Sequence, residues 1–199
     1  MSTKQEIFQS ALSLFAQKGY DGVSIRDIAK SVGIKESSIY NHYPSKRSIL
    51  DEICAQFVET LRVSRPPLAE VEQMMGNMRP AELFVRLISS YGNKINPQIT
   101  QMAKVVFGEQ FHDETIREIF NREFIQNNVN YYIEILSSME DKKRIGPCDK
   151  AVVANLFNNE QLMLSFQFSG CGTDEERVKL KRLMWLSAEY IFHPLEAVK

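Results

Sequence analysis

The sequence has few cysteines, no long apolar run and almost no net charge, and each shortage closes off a class of function. Cys54, Cys148 and Cys171 are far apart and odd in number, which does not make the disulfide framework of a small secreted domain and fits reduced, structural thiols. Nowhere do about 18 apolar residues follow one another, so no membrane span is expected. The opening MSTKQEIFQ also lacks the apolar stretch of a signal peptide. A soluble protein of the cytoplasm is the expectation. A formal charge of −1 on 199 residues creates no overall field to draw the chain onto nucleic acid, so any such attraction has to be local. His42, His112 and His193 are scattered without partners at ligand spacing, and no metal site is expected. Phosphate-binding glycine loops, nucleophile elbows and paired-carboxylate motifs are missing too, so neither catalysis nor a cofactor is expected.

What is present is helical periodicity. Hydrophobic residues make up 44% of the chain, enough for a sizeable core. Thr3 with Glu6 fits a capping box, and Ile7, Phe8, Ala11, Leu12, Leu14 and Phe15 form a broad apolar stripe that Gly19 stops. Ser24 with Asp27 offers a second cap. Ile25, Ile28, Ala29 and Val32 then recur at i, i+3, i+4 and i+7, one buried face about two turns long. Gly33 can supply a positive φ for a tight turn, with Ile34 as the apolar peg of the next helix. From Lys35 to Tyr43 only Ile39 is aliphatic, and Pro44, Ser45 and Lys46 restart the chain as a longer helix carrying Ile49, Leu50, Ile53, Phe57 and Leu61.

The stretch SRPPLAEVEQMMGNMRP, with three prolines and a glycine, reads as a linker holding a helical turn or two. Beyond it the spacing predicts helices over Ala81–Ile95, with Tyr91 among its apolar positions, over Pro97–Phe111 behind an Asn96 cap, and over Glu114–Met139. Two more follow over Lys150–Phe168 and Asp174–Phe192, the last opened by Thr173 and Glu176 as a capping box. No alternating strand pattern competes, so the fold class is all-α with about nine helices. RLMWLSAEYIF in the last helix is apolar on nearly all sides, which requires burial on two flanks. A second copy of the chain is the simplest cover for the outer flank.

A short apolar-faced helix, a glycine turn and a polar second helix held by a third form a helix-turn-helix, whose second helix can enter the DNA major groove. Local charge agrees. Lys4, Lys18, Arg26, Lys30, Lys35, Lys46 and Arg47 stand against Glu6, Asp21, Asp27 and Glu36 in residues 1–50, which leaves +3 there and −4 in the remainder of a chain whose total is −1.

ALSLFAQKGYDGVSIRDIAKSVGIKESSIYNHYPSKRSIL resembles the N-terminal DNA-binding domain of TetR/AcrR transcriptional regulators, over about the first 50 residues. The remainder is similar only in helix number, length and order. The resemblance implies a DNA-binding domain over 1–50 and a helical ligand-binding and dimerisation domain over 51–199. It further implies a homodimer joined through the last two helices, a ligand cavity among the middle helices, and a ligand-free form that represses by covering an operator; some relatives activate instead. By position, Lys46 matches the family lysine that meets a phosphate, and Tyr40 and His42 match aromatic positions that touch phosphates or thymine methyls. Ser24, Arg26, Lys35, Glu36, Ser37, Ser38 and Asn41 sit where base or backbone contacts are made. Asn41 could pair with adenine, Arg26 with guanine and Glu36 with cytosine. Lys35 departs from the family, many members having a capping Ser or Thr there.

Aromatic and amide residues interleave in FNREFIQNNVNYYIEIL. Phe107, Phe111, Phe124, Asn128, Tyr131 and Tyr132 are candidates for an apolar pocket with a few oriented polar groups, and the same stripe suits a plain core. The expected function is a ligand-responsive DNA-binding regulator, a repressor on a near-palindromic operator, released by a small-molecule inducer. An architectural or partner-recruiting DNA-binding protein with the same head and no ligand is the alternative.

Overall fold

The computed structural model describes residues 1–92 and 96–196, with side chains described at all of these except 90–92 and 169. The expected positions Tyr91, as a side chain, and Ile95, as a helix end, lie outside the described residues. Eleven α-helices form among them: α1 Thr3–Lys18, α2 Ile25–Val32, α3 Glu36–Tyr40, α4 Lys46–Ser64, α5 Leu68–Met75, α6 Pro80–Gly92, α7 Pro97–Glu109, α8 Glu114–Phe120, α9 Asn127–Asp141, α10 Lys150–Gly170 and α11 Asp174–Phe192. A π-helical segment, Asn121–Gln126, lies between α8 and α9, and a 3-10 turn, His193–Leu195, follows α11. All nine helices expected from periodicity are present. The count rises because the linker forms α5 and because the expected 114–139 helix is divided by the π-helical segment.

Two compact units result, Met1–Val63 with Ile95–Phe120 and Ser64–Lys94 with Asn121–Lys199. This division departs from the 1–50 and 51–199 boundary, because α4, α7 and α8 pack with the N-terminal helices. In the first unit, Ile7, Phe8, Ala11, Leu12 and Phe15 of α1, Ile28 and Ala29 of α2, Ile39 of α3 and Ile49, Leu50, Ile53 and Phe57 of α4 are all buried. The α1 cap is one residue earlier than expected: Ser2 accepts from the Gln5 N–H, and Gln5 Oε1 accepts from the Ser2 N–H at 2.9 Å. At Ser24 and Asp27 the capping box forms as the sequence indicates. Gly33 takes the left-handed conformation, φ 77°, that closes α2 and turns the chain into α3.

A ring cluster fills the second unit. Phe84 of α6 stacks on Phe192 of α11 with centroids 4.1 Å apart, and Phe157 of α10 and Tyr132 of α9 close in at 5.0 and 5.7 Å from Phe84. Tyr131 donates to the Pro66 carbonyl at 2.8 Å.

Candidate nucleic-acid interface

Five residues of helix cannot hold themselves in water, so α3 exists because the unit grips it. Ile39 is 0% exposed and Tyr43 2%. The backbone N–H groups of His42 and Tyr43 both reach the Ile39 carbonyl at 2.9 Å, so the helical path outlasts α3 by a turn. Pro44 then ends it, since the residue before a proline is pushed out of the helical region. With Ile39 and Tyr43 turned inward, Lys35, Glu36, Ser37, Tyr40, Asn41 and His42 are left exposed and Ser38 half-buried. Tyr40, at 54% exposure, is a large ring held in water with no core function. The segment is therefore shorter as a helix than the polar run 35–43, and its polar side chains face outward. Lys35 is the N-cap residue and makes no side-chain cap bond.

The helix before it supplies charge and rigidity. Ser24 accepts from the Asp27 N–H and donates to Asp27 Oδ2 at 2.5 Å, and that oxygen also accepts from the Ser24 N–H at 2.9 Å. Those bonds hold the Asp27 carboxyl below its usual range and commit Ser24 to capping. Arg26 lies 4.0 Å from Glu36 with both side chains largely exposed, a pairing weak enough to yield to a phosphate or base. Arg26, Lys30, Lys35, Glu36 and Ser37 line one shallow surface depression. Lys30 was not among the expected site residues, although its exposure opposite Ile28 and Ala29 follows from helical spacing.

Lys46 is tied into the head by its own bonds. Its Nζ donates to the carbonyls of Tyr20 and Val23 at 2.9 and 2.8 Å and lies 4.0 Å from the centre of the Tyr20 ring. The ammonium thus clips the loop that leads into α2. Lys46→Met should destabilise the protein by about 2 kcal/mol, since bonds to charged groups contribute roughly 1.5–3 kcal/mol, and should weaken binding to every DNA sequence alike. Urea unfolding without DNA checks this; unchanged stability would remove the clip.

The same loop is held from the other side. Glu109, 8% exposed at the end of α7, accepts the Tyr20 N–H at 2.9 Å. Arg47 pairs with Asp113 and, at 2.7 Å, with Asp51, and these carboxylates raise its pKa further. Burial pushes Asp113 up, but the Ile116 N–H and the Arg47 guanidinium outweigh it and hold the carboxyl low. Glu109 escaped the sequence reading, although it continues the buried positions Met102, Val105 and Val106 at helical spacing. Burial pushes the Cys54 thiol up to about 12, which leaves it inert at neutral pH.

The expected pocket residues divide between the units. Phe107 and Phe111 fall in the first, where Phe107 packs edge-on to Phe57 and Phe120 with centroids 6.3 and 5.4 Å away. Phe111 lies beyond the end of α7 and is 77% exposed, which corrects its placement in an interior pocket. Phe124, Tyr131 and Tyr132 are buried in the second unit, and Asn128 is half-buried, donating to the Phe124 carbonyl at 3.2 Å. A further correction concerns His193: it has partners at helical spacing, since ligand atoms of Glu189, His193 and Glu196 lie within 4.8 Å of one another. Arg79 Nη2 already sits 2.8 Å from Glu189 and 2.9 Å from Glu196, supplying the positive charge there.

A short helix pinned from behind and polar in front, after a glycine turn and a second capped helix, defines a helix-turn-helix DNA-binding head. Residues 7–53 match the profile of the family described as "Bacterial regulatory proteins, tetR family", so the similarity to that family lies in this head. The "Biofilm operon icaADBC HTH-type negative transcriptional regulator IcaR" of Staphylococcus aureus is 51% identical over 49 residues, 25% of this chain and 26% of IcaR. The chain thus matches about a quarter of the length of such relatives. Two solved structures share the fold over nearly the whole chain. A transcriptional regulator from Rhodococcus sp. Rha1 has a TM-score of 0.72 at 17% identity, covering 100% of both chains. The TetR family transcriptional regulator PfmR from Thermus thermophilus has 0.61 at 18%, covering 94% of this chain and 97% of its own. Among the described residues no helix is long and apolar enough to cross a membrane.

Proposed function

We propose that this protein is a transcriptional repressor that binds a near-palindromic operator as a homodimer and releases it when a small molecule binds. The observation that carries the reading is the outward polar face of α3, with Tyr40 in water and Ile39 sealed behind it. A tetR-type head over residues 7–53 supports it, and IcaR, which shares that head, is named a negative transcriptional regulator. In this reading residues 1–50 meet DNA and 51–199 pair and sense the ligand, all in the cytoplasm. Asn41, Arg26 and Glu36 read bases, Tyr40 and His42 touch phosphates or thymine methyls, and Lys35, Ser37 and Ser38 hold the backbone.

Pairing is supported by apolar surface that a lone chain would leave wet. Val152, Leu156 and Met163 on α10 and Val178, Leu183, Trp185, Leu186 and Tyr190 on α11 are all exposed. Patches of this kind mark protein interfaces, and two antiparallel helices from each copy would bury them as a four-helix arrangement. Two heads so joined would sit about 34–36 Å apart, one turn of DNA, or somewhat more. Anisotropy titration on a selected genomic fragment tests the reading. Two chains should bind per duplex, with log K falling linearly in log salt; salt-independent or one-chain binding would count against it.

The tight ring cluster of Phe84, Tyr132, Phe157 and Phe192 favours a second reading, the same head on an architectural or partner-recruiting protein without a ligand. Thermal shift against a metabolite panel, followed by DNA release with each hit, separates the two, since any molecule that binds the folded chain stabilises it but only an inducer also frees the DNA.

A further inference from the structure

Midway along α10 the buried face changes character. Ala154, Phe157, Asn158, Gln161 and Leu164 recur at i, i+3, i+4, i+7 and i+10, and all are buried. Ala154 and Phe157 join the apolar core of their unit; the next two are amides. Asn158 Nδ2 donates to the carbonyl of Phe124, in the π-helical segment, at 3.2 Å. Asn128 Nδ2 reaches the same carbonyl at 3.2 Å, and Asn128 Oδ1 accepts from Arg65 Nη2 at 2.5 Å. One turn beyond Asn158, Gln161 is 5% exposed. Neither its Oε1 nor its Nε2 has a hydrogen-bond partner among the described residues, and the buried Nε of Arg65 has none either. A buried carboxamide left wholly unpaired is destabilising, and π-helical turns gather at functional sites.

We infer that Gln161 recognises a small neutral ligand through an amide-type edge, one N–H donor beside one carbonyl acceptor, as in a primary carboxamide, a lactam or a pyrimidine. This rests on the ligand-responsive reading above and names the chemistry of the ligand. Gln161 presents one acceptor atom and one donor group, so a complementary edge must carry both; a carboxylate offers acceptors alone and leaves Oε1 facing negative charge. The Arg65 charge is already answered in part by Glu123. Leu164, three residues on from Gln161 along the same face of α10, and Phe124 are buried apolar residues of the same unit.

The test uses the full chain with benzamide, 2-pyrrolidinone and uracil, set against benzoate and acetophenone, which lack the edge. At least one amide probe should raise the melting temperature and move the Gln161 side-chain NH2 signals in ¹⁵N spectra, assigned by their loss in Gln161→Met. That variant should bind the same probe about tenfold or more weakly, as sites built around a hydrogen bond do when it is removed. Equal binding by Gln161→Met, preference for benzoate, or unmoved Gln161 signals with every amide probe would overturn the inference. Should the Met variant fail to fold, Gln161→Asn provides the assignment and the parent spectra decide. If another class of molecule releases DNA while Gln161 stays silent, ligand response stands and only this inference falls. If amide probes dock at Gln161 without loosening DNA, the inference stands and the inducer reading falls.

Discussion

Replacing Tyr40 and Asn41 together by alanine is expected to weaken operator binding by a factor of about 100 or more while leaving the protein folded. Both side chains stand in solvent, Tyr40 at 54% exposure, so stability should change by no more than about 0.5 kcal/mol, as at other surface sites. In the proposed docking each side chain meets DNA, and a good base or groove contact is worth roughly 1–3 kcal/mol. Changing Asn41 alone should relax sequence preference at one position of each half-site. Ile39→Ala provides the contrast from the other face of the same helix. Ile39 is 0% exposed, so its truncation should cost about 2–5 kcal/mol of stability and loosen the head with or without DNA. Gel shift and thermal melting, run side by side on these variants, separate a reading face from a packing face; intact operator binding by the Tyr40/Asn41 variant would show that the face does no reading.

The second large effect concerns pairing. Leu156→Glu with Leu186→Glu places two carboxylates on surface that the proposed homodimer buries. Both leucines are more than half exposed in the single chain, at 57% and 52%, so the individual chain should still fold. Scattering-coupled size exclusion should find the parent at twice the chain mass and the variant at the chain mass. Losing the tether between heads should cut operator affinity by roughly 10²–10⁴, the advantage that linkage of two sites confers. A variant that still elutes at double mass would move the interface elsewhere.

How much of this was legible in the sequence depends on the range of the interactions involved. The Ile25, Ile28 and Ala29 spacing, the Ser24 and Asp27 cap and the polar run around Ile39 are local, and local rules found them. Lys46 was legible as a cation at the head of α4. Its bonds to Tyr20 and Val23 close a separation of more than twenty residues, which no local pattern encodes. The π-helical segment did leave a trace. Among the buried positions Ile116, Phe120, Phe124, Val129, Tyr132 and Leu136, one step is five residues long, from Phe124 to Val129, which matches the extra residue of a wider turn. Phe111 was misplaced because α7 ends at Glu109, two residues before the aromatic stripe does. Gln161 and Asn158 lay unnoticed inside a helix whose other buried positions are apolar, since an amide at a core position looks like a surface residue until the neighbouring chain is known.

Hydroxyl-radical footprinting of the full chain on a fragment selected from genomic DNA addresses the paired, outward-facing recognition helices most directly. The expected result is two protected patches on one face of the duplex, related by a near-dyad and separated by about one helical turn or somewhat more, both absent with the Tyr40/Asn41 variant. A single patch, or protection that the variant retains, would contradict it.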